Sequence, residues 1–183
     1  MKISDTTLQD LKLIETRAVT DERGRFSRLF CETDFSSIRS DLKFVQINLS
    51  ETTRNGAVRG MHFQQAPASE AKLIRCLRGC VFDVAVDLRA NSSTFMQWHG
   101  VELSESNDLE IFIPEGFAHG FQALTDDVQL LYLHTHAWSQ PCEMGMRHDD
   151  PKLAIKWPRW VTQISAKDKT YPLLTETFVG VTQ

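Results

Sequence analysis

The chain has 183 residues, 42% of them hydrophobic and 24% charged, which suits one folded domain with a substantial core and leaves too little for two. A formal net charge of −4 argues against a dedicated nucleic-acid binder or a protein of anionic membrane surfaces. No apolar run approaches bilayer-spanning length and Met1 to Thr6 hold no apolar signal core, so a cytoplasmic enzyme or binding protein is expected, with no membrane partner.

In chain order, the first feature is the charged turn Asp21-Glu22-Arg23-Gly24-Arg25-Phe26. Arg23 there can serve as a phosphate fork, and a solvated surface turn fits the same residues equally well. Glu32 to Arg39 is the one defensible helix, and it is brief. Val58-Arg59-Gly60-Met61-His62-Phe63 delivers an isolated histidine at the end of a strand. A lone histidine is ordinarily bonded to backbone. Here Arg59 precedes it and Lys72 follows, a set that suits an anionic substrate and a proton transfer near neutral pH.

Leu73 to Leu77 reads as a strand. Val81 to Leu88 alternates, with Phe82, Val84, Val86 and Leu88 on one face and Asp83, Ala85 and Asp87 on the other. Ile111 to Ile113 and Val128 to Leu133 are further strands. Tyr132 shares a face with Val128, Leu130, His134 and His136; a strand tyrosine usually packs, and becomes functional only if that face lines the pocket of His62. His134-x-His136 has metal-like spacing, but Gln140 follows where a glutamate would be needed, so the pair reads as exposed or pocket-lining. Trp138 can stack on an aromatic ligand or sit at a rim. Glycines and Asn91-Ser92-Ser93 punctuate the strands, and the absence of helical crossovers means an all-β sandwich or barrel. The tail beyond Trp157-Pro158 is more polar and is expected to wrap that barrel. Cys31, Cys76, Cys80 and Cys142 lack zinc spacing and read as lone thiols.

Between the last two strands lies Ile113-Pro114-Glu115-Gly116-Phe117-Ala118-His119-Gly120-Phe121. Pro114 fixes φ and Gly116 can take the positive φ of a tight corner, so His119 is delivered onto an apolar strand. This Pro-x-Gly-x-x-His pattern resembles the second signature of the cupin β-barrels. The resemblance implies a cupin-type double-stranded β-helix, a jelly-roll barrel with short peripheral helices, as one domain over residues 1–183. The usual cupin metal ligands are missing. His62 is followed by Phe63 and Gln64 instead of a second histidine, and Ala123 stands where the second signature ends in asparagine. No metal and no cofactor are expected.

Taken together, Asp21-Glu22-Arg23-Gly24, Val58 to Phe63, Val81 to Arg89, Ile113 to Phe121 and Ser165-Ala166-Lys167-Asp168 resemble, in the same order, the dTDP-4-dehydrorhamnose 3,5-epimerase family of nucleoside-diphosphate-sugar epimerases. The resemblance implies proton abstraction beside a 4-keto group. His62 would be the base, oriented by Asp168, and Tyr132 the acid on the opposite face. Lys72 would stabilise the enolate, with His119 alongside. Arg23 and Arg59 would hold the diphosphate and Trp138 would stack on the nucleobase. Phe26, Arg28, Gln46 and Asn48 fall at nucleotide- and sugar-contacting positions. The implied substrate is a nucleoside-diphosphate 4-keto-6-deoxy sugar, inverted at C3, C5 or both, in surface-polysaccharide or deoxysugar biosynthesis, and the implied assembly is a homodimer.

Some positions depart from the family pattern. Arg28 replaces a carboxylate, so it can only donate where the family accepts a thymine N–H. Ile47 interrupts Gln46-x-Asn48, and Ala137-Trp138 replace two tyrosines. A metal-dependent cupin, a non-catalytic sugar-binding cupin and an epimerase acting at one carbon are the rival readings. The first lacks ligands, and the second has no need of a base and an acid.

Overall fold

Thirteen short strands account for most of the regular structure in a computed structural model that describes residues 1–182; Gln183, the last position of the expected domain, lies outside the described residues. The strands are β1 (Lys2–Asp5), β2 (Lys12–Glu15), β3 (Val19–Asp21), β4 (Gly24–Phe26), β5 (Gln46–Thr52), β6 (Val58–Gln64) and β7 (Lys72–Arg78). They continue as β8 (Cys80–Asp87), β9 (Trp98–Ser104), β10 (Leu109–Ile113), β11 (Phe117–Ala123), β12 (Val128–His134) and β13 (Glu143–Gly145). Two short helices, α1 (Glu32–Phe35) and α2 (Ala166–Thr170), lie at the periphery. Among the described residues no helix is long and apolar enough to cross a membrane.

The strands pair into a six-stranded sheet, β1-β2-β10-β7-β12-β5, a five-stranded sheet, β13-β6-β11-β8-β9, and a separate two-stranded ribbon, β3-β4. This is the all-β jelly-roll arrangement expected from the sequence. The two large sheets enclose a core of Ile74, Cys76, Val81, Ala85, Ile111, Ile113, Phe117, Phe121 and Leu130. Burial of the valine, isoleucine, leucine and phenylalanine side chains among them stabilises the fold by roughly 1.5–3 kcal/mol each. Strand alternation decides what faces where. On β7, Ile74 and Cys76 point inward, while Leu73 turns outward to meet Phe35 and Leu42 near α1.

On β8 the alternation has an outcome the sequence did not suggest. Val84, Val86 and Leu88 do share a face, but they pack outward against Leu153, Trp157, Leu174 and Phe178 of the tail. The opposite face, with Asp83 and Ala85, looks into the barrel. Asp83 and Asp87 are both fully buried, so the strand is covered on both faces. The tail does wrap the barrel: Gln163 bridges to Ala57 and Val181 to Arg89.

The expected helix from Glu32 to Arg39 is shorter than the sequence suggested. After Phe35 the chain continues as turns, with Arg39 N–H still donating to the Phe35 carbonyl at 3.1 Å. The hydroxyls of Ser36 and Ser37 donate to the carbonyls of Thr33 and Asp34 at 2.7 and 2.9 Å, the local competition that disfavours serine inside helices. Helix α2 was not foreseen, although Ser165-x-x-Asp168 is an N-cap pattern. Ser165 Oγ accepts from the Asp168 N–H at 3.0 Å.

Candidate active site

Strands β6 and β11 run unusually close together. A Cβ on Gly60 would lie 2.6 Å from the Gly120 Cα, so only glycine permits the approach. The pairing places His62 directly across from His119. Both border a cavity of ≈ 680 Å³ that opens between the two large sheets.

His62 comes from the five-stranded sheet and is partly exposed. Its Nε2 lies 2.8 Å from Oδ1 of Asp168, which α2 presents from the tail. With Nε2–H donating to the carboxylate, Nδ1 keeps the lone pair. Burial pushes the Asp168 carboxyl up, but the His62 hydrogen bond and charge, the Gly60 N–H and Ser165 outweigh it and hold Asp168 below the usual range. His119, on the same sheet, pairs through Nε2 with Asp83 at 2.8 Å.

Tyr132 comes from the facing six-stranded sheet. Its ring meets His119 edge-on at 5.9 Å between centroids and stacks on His134 at 6.0 Å with an interplanar angle of 13°. Burial and the nearby Asp83 charge hold the phenol well above 10, with Arg59 opposing. It is therefore a protonated donor at neutral pH. Lys72, at the start of β7, is nearly buried; its Nζ reaches Glu70 at 3.2 Å and the His62 carbonyl at 3.5 Å. Arg59 is anchored to Thr52 Oγ1 at 2.9 Å and the Glu51 carbonyl at 2.8 Å.

His62, Lys72, Arg59, His119, Tyr132, Asp168, Asn48 and Trp138 all line the one cavity. Gln46 stands behind it, accepting the Trp138 N–H at 3.0 Å. Arg23, Phe26 and Arg28 lie elsewhere in the chain. Arg23 is bound to Asp21 at the tip of the β3–β4 ribbon, Phe26 is 74% exposed, and Arg28 sits 3.9 Å from Asp34. His134 is buried at the cavity wall, whereas His136 is exposed and contacts the Ala137 carbonyl.

Sequence reasoning missed three acids. Asp83 falls on a strand face with no role assigned to it, Glu70 stood unnoticed two positions before Lys72, and Glu143 lines the cavity from β13. The Glu-x-Lys spacing beside a strand start was the available signal for Glu70. Each of the three histidines lining the cavity is joined to a carboxylate at 2.8 Å: His62 to Asp168, His119 to Asp83 and His134 to Glu70. Among the described residues, no group of three or more histidines, cysteines or acids gathers at metal-binding distance. With titratable groups on two facing sheets and an ammonium in the same cavity, the arrangement can move protons between two faces of a bound molecule.

A protein-family model described as dTDP-4-dehydrorhamnose 3,5-epimerase matches residues 5–176. A dTDP-4-dehydrorhamnose 3,5-epimerase of Methanothermobacter thermautotrophicus is 44% identical over 174 residues, covering 93% of each chain. A dTDP-4-dehydrorhamnose 3-epimerase of Streptomyces niveus is 39% identical, covering 85% of this chain and 75% of its own. The crystal structure of dTDP-4-dehydrorhamnose 3,5-epimerase from Bacillus anthracis str. Ames, with TDP and PPi bound, superposes with a TM-score of 0.91 at 38% identity, covering 94% of this chain and 99% of that one.

Proposed function

The chain belongs to the dTDP-4-dehydrorhamnose 3,5-epimerase family, cupin-fold isomerases, and on that premise we propose that it epimerises a nucleoside-diphosphate 4-keto-6-deoxy sugar at C3, C5 or both. The observation that carries this reading is a histidine–carboxylate pair and a protonated tyrosine on opposite sheets of one cavity, which a lysine also lines.

The chemistry follows from those positions. A 4-keto group acidifies its neighbouring C–H bonds. Nδ1 of His62, the nitrogen not bonded to Asp168, removes one such proton, and the electron pair moves onto the 4-oxygen. Lys72, nearly buried in the cavity wall, stabilises the resulting enolate. Tyr132 returns a proton from the opposite face and so inverts the centre. His119, held by Asp83, stands beside Tyr132 and completes the polar wall. Arg59 holds the diphosphate, Trp138 stacks on the base, and Asn48 contacts the nucleotide sugar. The whole chain acts as one catalytic domain in the cytoplasm.

We also propose a homodimer, in which the β3–β4 ribbon carries Arg23, Phe26 and Arg28 to the cavity of the partner. Every residue of that ribbon is exposed, and β5 is left as a bare edge of its sheet, a combination that favours pairing between copies. The 39% identity to a protein named as a 3-epimerase makes inversion at C3 alone the second reading.

Incubation in D₂O with dTDP-, UDP-, CDP- and GDP-linked 4-keto-6-deoxy sugars, followed by NMR, tests both. Deuterium should enter at C3 and C5 of at least one sugar, and inverted product should form. Label at C3 only would establish the single-carbon reading, and no exchange with any sugar would end the epimerase proposal.

A further inference from the structure

Three histidine–carboxylate pairs border the cavity, and the proton transfer described above leaves the Glu70–His134 pair without a role. One carboxylate there makes two contacts. Glu70 Oε2 lies 2.8 Å from Nδ1 of His134, and Oε1 lies 3.2 Å from Nζ of Lys72. The three side chains are 8%, 10% and 9% exposed for Glu70, His134 and Lys72 respectively, and all border the cavity. A charge buried this deeply is tolerated only when paired and hydrogen-bonded. Burial pushes the Glu70 carboxyl up, but the His134 hydrogen bond and the Lys72 charge outweigh it and keep Glu70 below the usual range.

We propose that Glu70 is a positioning residue of this site: its carboxylate clamps Lys72 towards the substrate's keto oxygen and fixes His134 as an Nδ1–H ring whose Nε2 accepts hydrogen bonds at the cavity wall. The proposal rests on the reading that Lys72 stabilises an enolate.

The geometry on each side of the clamp agrees with it. An ammonium has three N–H donors. Glu70 and the His62 carbonyl take two from Lys72, so the third is directed at a ligand oxygen instead of wandering. On the other side, a carboxylate at Nδ1 requires a proton there, which leaves Nε2 an acceptor. The Asn48 amide nitrogen, a donor, lies 3.3 Å from that Nε2. The Glu70 carboxylate sets this tautomer, and the Asn48 amide as oriented fits it. The His134 ring then stacks on Tyr132, so one carboxylate orders both the cation and the ring supporting the acid. Small misplacement of such groups can cost on the order of 10²-fold in rate.

The test is Glu70→Gln, assayed by deuterium wash-in with the dTDP-4-keto-6-deoxy sugar of the panel. A glutamine keeps the volume but loses the charge that holds Lys72. The expected result is a fall of about 10–100-fold in kcat with KM little changed, because the ammonium matters most as charge develops. An unchanged kcat, or a loss confined to KM, would overturn the clamp. Should Glu70→Gln not fold, ¹⁵N NMR of the wild-type histidines decides without any substrate. His134 should show Nδ1 protonated and Nε2 bare, and a neutral ring protonated at Nε2 would overturn the proposal. Wild-type protein inert towards every sugar would instead remove the enolate that the clamp serves, while the tautomer would still report whether the clamp exists.

Discussion

In the proposed reaction Asp168 decides which nitrogen of His62 acts. Bonded at Nε2, the ring is left with Nδ1 as its proton acceptor, and the depressed carboxyl of Asp168 would stay ionised and favour the imidazolium formed on proton uptake. His62→Ala should therefore abolish both wash-in and product with the fold retained. Tyr132→Phe should reduce product more than exchange, since the enolate still forms but the inverting face lacks its donor. Losses of general acid–base groups typically cost about 10²–10⁴-fold. Near-normal exchange in His62→Ala would move the base elsewhere, with His119 the first candidate. Residue type and spacing singled out His62 and Lys72 as parts of a polar pocket and left Tyr132 conditional on its strand face; the resemblance to the family named their roles, and the structure brings all three to one cavity. Sequence alone could not show that Asp83 and Glu70 each hold a histidine, because those pairs join residues 36 and 64 positions apart. Such contacts depend on sheet order and register, which local spacing does not encode.

Among the elements, β7 and β10 hold a tension that the catalytic wall does not need. Glu110 faces Arg75 across the strand pair, and the cluster also takes in Thr16 and Asp108. Burial pushes the Glu110 carboxyl up to about 8, against the pull of Arg75, and its Oε2 has no hydrogen-bond partner. The sign of the effect follows from linkage. A carboxyl whose folded value is raised binds its proton more tightly in the native state. Its contribution to stability is present below the unfolded value near 4.5 and is lost as pH rises towards 8. The wild-type melting temperature should thus decline over that interval more steeply than that of Glu110→Gln, which keeps an acceptor for Arg75 and cannot ionise. Parallel curves from calorimetry across the interval would refute this. Ile111-Phe112-Ile113 reads as a strand from its apolar residues alone, two residues short of the observed β10, and most of β7, β8 and β12 reads the same way. The strength of alternation made these elements legible. Helix α2 was not, since five residues give no helical period and only the Ser165 cap marks its start.

At the scale of the whole molecule, the ribbon and the bare edge are two halves of one problem. The β3–β4 hairpin joins neither large sheet, and an isolated two-stranded hairpin is marginal in water. It nonetheless exposes Val19 at 69% and Phe26 at 74%, while β5 and its approach expose Val45, Ile47 and Leu49 at 63%, 64% and 55%. Burying such side chains favours association of two copies if ribbon and edge meet, against the entropy cost of bringing them together. The same meeting would carry Arg23, Phe26 and Arg28 towards a cavity that, within one chain, they do not line. Light scattering should accordingly show a dimer at micromolar concentration. The double variant Ile47→Glu, Leu49→Glu, which places like charges on the edge without touching a cavity residue, should give a monomer. That monomer should bind dTDP at least tenfold more weakly, about 1.4 kcal/mol, because the ribbon's cations and ring are no longer supplied. Its His62–Asp168 pair should keep its wild-type NMR signature, since both residues come from one chain. A wild-type monomer would refute the dimer, and a monomeric variant with undiminished dTDP affinity would show that the ribbon contributes nothing to nucleotide binding.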